Sequence, residues 1–189
     1  MLKTIEYPVS LEYSSDGKFL PIEFYLSTIP HCNQIDLKLG YFSTNAIRAL
    51  AYGFAQFIFN GGKLRIITNH FLSKDDRSIL IEEPLTEYTT KSVIKLLTED
   101  LDALAKVIEN GDKHFFNCLR YLLKHNRLVI QPVRLTEGGM SHYKQGIFYD
   151  DESIIAFNGS CNFTYAGLIE NGESFGISRS WGERAEKAK

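Results

Sequence analysis

The hydrophobic pattern of the first third of the chain alternates between the periods of strands and helices. Apolar and polar residues alternate in 34–42 and again in 63–68, as they do in half-buried strands. The segment between them, 43–59, opens on hydroxyl residues that can cap a helix, is apolar nearly all round and is followed by two glycines. These features predict a helix that lies buried against a sheet.

Shorter elements precede this unit and longer helices follow it. Residues 20–29 predict a short helix, and the residues before them predict a small hairpin or an irregular arm with a turn at Asp16-Gly17. An amphipathic helix is predicted over 90–111 and a more basic helix over 112–126. The middle of the chain is therefore expected to be helical.

The last third changes to the period of strands. Turn signals at Gly138-Gly139 and Asp150-Asp151 separate runs rich in β-branched and aromatic residues. Four strands are predicted there, within residues 127–135, 141–150, 153–160 and 173–181. Strands that alternate with helices and then dominate the end predict the α/β (α+β) class, with one mixed central β-sheet flanked by helices. We expect residues 1–189 to form a single domain, since no linker or internal repeat interrupts the pattern.

Composition narrows the class of protein. With 189 residues, of which 44% are hydrophobic, the chain can bury a core without disulfides or metal. Cys32, Cys118 and Cys161 are isolated, which argues against a disulfide framework and against a zinc site. The chain opens without a charged and then apolar leader, and its apolar runs are too short to span a bilayer. We therefore expect a cytoplasmic protein without metal, cofactor or membrane segment.

Charge is unevenly distributed along the chain, although the net charge is only −2. Residues 75–109 hold nine acids against four bases, whereas residues 112–145 hold six Lys or Arg against two acids. A solvated helix face explains most contrasts of this kind. The basic stretch is also suited to attract an anion such as the backbone of DNA.

The basic stretch runs into a cluster of chemically active residues. His142 and Lys144 are two apart in a predicted strand, so their side chains share a face at a spacing of roughly 6.6 Å. On the next strand Ser160 and Asn162 share a face in the same way, while Cys161 points toward the core. An ammonium, a hydroxyl and an amide can all donate to phosphate oxygens, so the two strands would together present a phosphate site.

Each of these residues has an ordinary structural explanation when it is taken alone, but together they form a known pattern. The sequences "HYK", from His142, and "GSCN", over Gly159–Asn162, resemble the signature of the phospholipase D superfamily. The continuation "FTYAGLIENGE" is similar to the single-motif nucleases of that superfamily, in which an acid follows on the last strand. Glu173 occupies the place of that acid.

This resemblance implies a phospholipase D-like fold and metal-independent hydrolysis of a phosphodiester through a phosphohistidine. His142 would attack phosphorus, and Lys144, Ser160 and Asn162 would bind the non-bridging oxygens. The mechanism needs a second histidine, so one motif per chain implies a homodimer with the site shared between subunits. Likeness to metal-independent restriction enzymes and helicase-associated defence nucleases implies a DNA endonuclease. Such a domain can stand at the N-terminus of a longer protein, with sequence recognition located elsewhere.

One position departs from the family pattern. The aspartate that follows the lysine in the full motif is replaced by Tyr149, and Asp150 comes one residue late. A bulge could re-aim Asp150, or the role of the acid could pass to Glu173. We expect Glu173 to take it, because a carboxylate against the second imidazole nitrogen would orient His142.

Other interpretations of the same residues remain open. Ser160 or Cys161 could be the nucleophile of an ester or peptide hydrolase with His142 as base, although no nucleophile elbow surrounds them. The domain could also bind DNA or assemble without turnover, or it could cleave a phospholipid.

Overall fold

The structure is a computed structural model that describes residues 1–41, 46, 49–70, 121–132 and 142–182. The chain divides into two compact units, one of Met1–Phe71 with Gln131–Lys189 and one of Leu72–Ile130. Several predicted features lie outside the described residues: the amphipathic helix, most of the basic helix, the Gly138-Gly139 turn and part of the start of the helix over 43–59.

The strands of the described residues form one mixed sheet. Their bounds are β1 (Glu12–Ser14), β2 (Gln34–Tyr41), β3 (Lys63–His70), β4 (Leu128–Pro132), β5 (Lys144–Tyr149), β6 (Ile154–Gly159) and β7 (Ser174–Arg179). The order across the sheet is β1-β7-β6-β5-β2-β3-β4. Strands β2 and β3 are parallel, whereas β2 with β5, β5 with β6, β6 with β7 and β7 with β1 are antiparallel. The predicted α/β (α+β) class with a mixed sheet and helices is confirmed.

Two helices accompany the sheet in the described part of the first unit. Helix α1 (Pro21–Thr28) continues into a 3₁₀ turn, and α2 (Ala51–Phe59) connects β2 to β3. A short π-helix, Ala166–Glu170, lies between β6 and β7. The predictions of a helix over 20–29 and of strands on both sides of α2 are confirmed.

Helix α2 is buried on one side only. Phe54 and Phe57 lie in the core, but the side chains of Tyr52 and Phe59 are 81% and 85% exposed. The helix thus has a buried side, and the apolar pattern of 43–59 did not say how many of its sides neighbouring elements cover.

Aromatic side chains fill the space between α1 and the sheet. The ring of Phe24 lies 5.2 Å from that of Phe148 and 5.3 Å from that of Phe175, measured between centroids. Strand β5 contributes to this core through alternate residues, and Lys144, Gly146 and Phe148 are the buried ones. The alternation predicted for β5 is confirmed, and it places a lysine at the end of an apolar face.

Candidate active site

Several strands end or begin at the same end of the sheet as Lys144. Strand β2 pairs Leu39 with Lys144, β6 ends at Gly159, and β7 begins at Ser174 opposite Ser14 of β1. We call this the site end of the sheet. It brings residues from four different parts of the sequence together.

His142 and Lys144 meet at the site end. His142 is exposed and lies two residues before β5. The prediction that His142 belongs to this strand is therefore wrong. The Nζ atom of Lys144 lies 2.9 Å from Nδ1 and 3.0 Å from Nε2 of His142, and it also donates to the His142 carbonyl at 3.1 Å. An ammonium only donates, so it can bond only the ring nitrogen that has a lone pair, and the tautomer of the imidazole decides which of the two this is. The pair therefore presents a basic imidazole nitrogen beside a cation.

The ammonium of Lys144 is held in a buried position. The residue is only 4% exposed. Burial lowers the pKa of the Lys144 ammonium, and the carboxylate of Glu173 acts against that by raising it. Among the described residues, the structure thus brings Glu173 within electrostatic reach of Lys144, although β6 lies between their strands.

The hydroxyl of Ser160 binds protein backbone. It accepts the N–H of Ser174 at 3.0 Å and donates to the carbonyl of the same residue at 3.2 Å. The single hydroxyl proton is thereby in use, so the predicted phosphate contact of Ser160 would require this bridge to open. In the structure Ser160 joins the end of β6 to the start of β7.

Asn162 presents a buried amide at the same place. Its side-chain oxygen is buried and has no hydrogen-bond donor among the residues that the structure describes. Its backbone carbonyl accepts the N–H of Thr164 at 2.9 Å, and the backbone of Gly167 passes so close that a methyl group there would overlap this carbonyl. The backbone is therefore fixed, and the unpaired atom of the amide is an acceptor.

Cys161 points into the core, as the alternation predicts. It is fully buried, and its thiol donates to the carbonyl of Gly167 at 3.2 Å. Burial raises the pKa of the Cys161 thiol to about 12. A thiol that is protonated and shielded from solvent is a poor nucleophile, which disfavours the hydrolase interpretation that uses Cys161.

The positions of the departure from the family motif lie away from the site end. Tyr149 is at the opposite end of β5, roughly 16 Å along the strand from Lys144. Burial raises the pKa of the Tyr149 hydroxyl, and the carboxylate of Asp36 adds to that effect. The exchange of aspartate for tyrosine therefore changes the neighbourhood of Asp36 and leaves the His142–Lys144 contact untouched.

Asp150 stabilises a turn. Its carboxylate accepts the backbone N–H groups of Ser153 and Leu2, each at 2.6 Å, and that of Glu152 at 2.9 Å. Burial would raise the pKa of this carboxyl, but the backbone hydrogen bonds hold it below its ordinary value. The carboxylate is directed at these groups, so no bulge re-aims Asp150 toward Lys144.

Two residues at the site end of the sheet were not singled out in the sequence. Tyr143 is 46% exposed, and the Nζ atom of Lys38 lies 3.5 Å from the centroid of its ring. Ser15, in the turn after β1, binds the backbone of Glu173. No local pattern marks either contact, because each partner comes from a distant part of the chain.

The described residues contain no group of three or more His, Cys, Asp or Glu side chains that could hold a metal ion. In the same part of the chain, the helices are too short or too polar to cross a membrane. Cys32 and Cys161 are free thiols.

No protein-family model and no curated protein sequence matches the chain. Among solved structures, phosphatidylserine synthase from Haemophilus influenzae is similar at a TM-score of 0.50 and 12% identity, over 87% of this chain and 32% of that one. NucT from Helicobacter pylori gives a TM-score of 0.45 at 15% identity, over 89% and 82% of the two chains. Nuc from Salmonella typhimurium, a phospholipase D family member, gives 0.44 at 15% identity, over 88% and 79%. At such identities the likeness is one of fold alone, and it extends over 87% of this chain for the phosphatidylserine synthase.

Proposed function

We propose that this chain is a metal-independent phosphodiesterase that cleaves DNA as an endonuclease, with His142 as nucleophile. The observation that carries the proposal is the 2.9 Å contact between the Lys144 ammonium and the imidazole of exposed His142. A nucleophile beside a fixed cation is the arrangement that attack on a charged phosphodiester requires.

The reaction would proceed in two steps. A ring nitrogen of His142 forms a bond to phosphorus while the bond from phosphorus to the leaving oxygen breaks, and an acid protonates that oxygen. Water then attacks the phosphohistidine, the phosphorus–nitrogen bond breaks and the same acid, now a base, takes the proton. Lys144 would bind non-bridging oxygens in both steps, and the N–H groups of the Asn162 amide would add a second donor. The carboxylate of Glu173 would stabilise the positive charge that develops on the imidazole of His142.

The acid is proposed to be His142 of a second copy of the chain. His-x-Lys occurs once in the sequence, at His142. The exposure of His142 and Tyr143 leaves the site end open to a partner. A two-fold axis through this surface would bring the two imidazoles to one substrate.

DNA is favoured as the substrate by charge. The stretch 112–145 carries a net of +4 and leads directly into the site. Such a stretch would bind the backbone of a nucleic acid through its phosphates, whatever the sequence of bases. Another domain or protein would recognise the particular DNA sequence. A nuclease domain joined to such a partner would serve in restriction or defence.

The experiment is a cleavage assay on labelled single- and double-stranded DNA in the presence of a chelator. The wild type is expected to cut DNA, and His142→Ala is expected to bind DNA while cutting at least ~100-fold more slowly, since it lacks the nucleophile. Wild type quenched in alkaline denaturant, which preserves the phosphorus–nitrogen bond, should carry label from the phosphate on His142. His31→Ala is the matched control, because His31 is also an exposed histidine but precedes β2 at the opposite end of the sheet.

Three results would contradict the proposal. Loss of cleavage in chelator would show that the reaction needs a metal, and undiminished cleavage by His142→Ala would place the nucleophile elsewhere. A wild type that binds DNA but never cuts it would favour the non-catalytic binding module.

A further inference from the structure

A serine distant in sequence holds the backbone of Glu173. The hydroxyl of Ser15 accepts the N–H of Glu173 at 3.0 Å and donates to its carbonyl at 3.1 Å. The backbone N–H of Ser15 donates to the same carbonyl at 2.9 Å. Both polar groups of the Glu173 main chain are thus bound by one residue from the turn after β1.

The contact has a counterpart on the other side of β7. Ser160 binds the N–H and the carbonyl of Ser174 in the same way, with its own N–H donating to that carbonyl at 2.9 Å. Ser15 follows β1 and Ser160 follows β6, which are the two neighbours of β7 in the sheet. The two residues that lead into β7 are therefore fixed from both sides, and the direction of the Cα–Cβ bond of Glu173 is fixed with them.

That direction matters because the carboxylate has to reach past a strand. Glu173 precedes Phe175 by two residues, and Phe175 and Lys144 both lie on the buried face of the sheet, so the side chains of Glu173 and Lys144 start from the same face on either side of β6. The carboxylate of Glu173 also acts to raise the pKa of Lys144. Beside the same residues lies a cavity of about 480 Å³, lined by Ser15, Glu170 and Glu173 among others. A carboxylate on a loose backbone would have space to turn away from Lys144 into this cavity.

We propose that Ser15 is a positioning residue, which holds the carboxylate of Glu173 toward the ammonium of Lys144. The carboxylate so placed favours the protonated form of Lys144, which is the form that binds phosphate. The inference rests on the proposed function, in which Lys144 binds the phosphate of the substrate. It assigns to Ser15 an effect on chemistry at Lys144 of β5, which is three strands from β1 in the sheet.

The titration of Lys144 provides a readout that a merely structural role would not move. Of the described titratable groups, His142 contacts the Lys144 ammonium and Glu173 acts on it from β7. Burial lowers the Lys144 pKa and Glu173 opposes this, so a displaced carboxylate should let the pKa fall further. The midpoint is measured by NMR on protein labelled with ¹³C-lysine, with the Lys144 signal assigned by its loss in Lys144→Met.

Ser15→Ala is expected to shift the Lys144 midpoint to lower pH, and Ser15→Thr, which keeps the hydroxyl, is expected to restore it. Ser14→Ala is the matched control, since the neighbouring Ser14 hydroxyl is bound to Asp16 and should leave the midpoint unchanged. Glu173→Gln should shift the midpoint in the same direction as Ser15→Ala. The double variant Ser15→Ala/Glu173→Gln should shift it no further than Glu173→Gln alone.

The outcomes separate this inference from the proposed function. A folded Ser15→Ala with the wild-type midpoint overturns the positioning role, as does an additive shift in the double variant. Should Ser15→Ala fail to fold, a Glu173→Gln variant without any shift overturns it equally. In variants that cleave DNA, the fall of kcat/KM at alkaline pH must shift to the same extent as the titration midpoint of Lys144. If the NMR shift appears in a wild type that cleaves no DNA, the proposed function fails and the positioning role stands.

Discussion

Lys144 is a charged residue on the buried face of the sheet. Its side chain shares the buried face of β5 with Gly146 and Phe148, and burial disfavours the ammonium. Because the pKa in the fold is lower than in the unfolded chain, the unfolded state binds more protons in the pH window between the two values. Stability therefore rises with pH through that window, and at neutral pH the charged lysine costs stability. The contact with His142 fits the role proposed for Lys144 in binding phosphate.

We expect Lys144→Met to stabilise the protein while it abolishes cleavage. Replacing a buried charge with an apolar side chain should raise the free energy of unfolding at pH 7 by about 1 kcal/mol. Urea unfolding monitored by circular dichroism measures this. Lys38→Met is the control, because Lys38 lies on the other face of the sheet with its ammonium on the ring of Tyr143. A less stable Lys144→Met would mean that the contacts of the ammonium outweigh the cost of its burial.

At the scale of elements, the junction of β6 and β7 positions the second half of the site. Gly159 pairs with Phe175, and a methyl group at Gly159 would overlap the carbonyl oxygen of Ser174 and the Cβ atom of Phe175. The strands can approach this closely only because the residue is glycine. The approach in turn allows Ser160 to bridge to Ser174.

Gly159→Ala is expected to separate β6 from β7 and to lower the free energy of unfolding by about 2 kcal/mol, within the usual cost of overpacking. Cleavage should fall with it, because Ser160 and Asn162 follow directly on β6. Gly172→Ala offers a matched control, since a methyl group at Gly172 would meet no atom within 4 Å. The stabilities of both variants are compared by thermal unfolding. Equal stability would show that Gly159 is not needed for the close approach of β6 and β7.

At the scale of the whole molecule, the proposed site is complete only in a pair of chains. If two copies share one site, a mixed pair with one His142→Ala subunit lacks either the nucleophile or the acid. After exchange at equal concentrations, about one quarter of the pairs should be fully active, because only pairs of two wild-type subunits carry both histidines. Sites that work independently would instead keep half of the activity.

Sedimentation velocity of the wild type at assay concentration gives the companion measurement. A dimer is expected. A chain that sediments as a monomer and still cleaves DNA would end the shared-site proposal.

The features that depend on local backbone geometry could be predicted from the sequence. The alternation of Lys144, Gly146 and Phe148 follows from the period of a strand, and the burial of Cys161 follows from the same rule. The strands around α2 and the turn at Asp150-Asp151 were also predictable, because each is encoded within a few consecutive residues.

Which distant residues meet could not be predicted in this way, because it depends on how the whole chain folds. The exposed side of α2, the bridge from Ser160 to Ser174 and the contact of Ser15 with Glu173 all depend on the order of strands in the sheet. Ser15 and Glu173 are 158 residues apart, and no local period relates them. Their meeting requires β1 to pair with β7 at the edge of the sheet, which is settled by packing of the whole core rather than by the residues on either side.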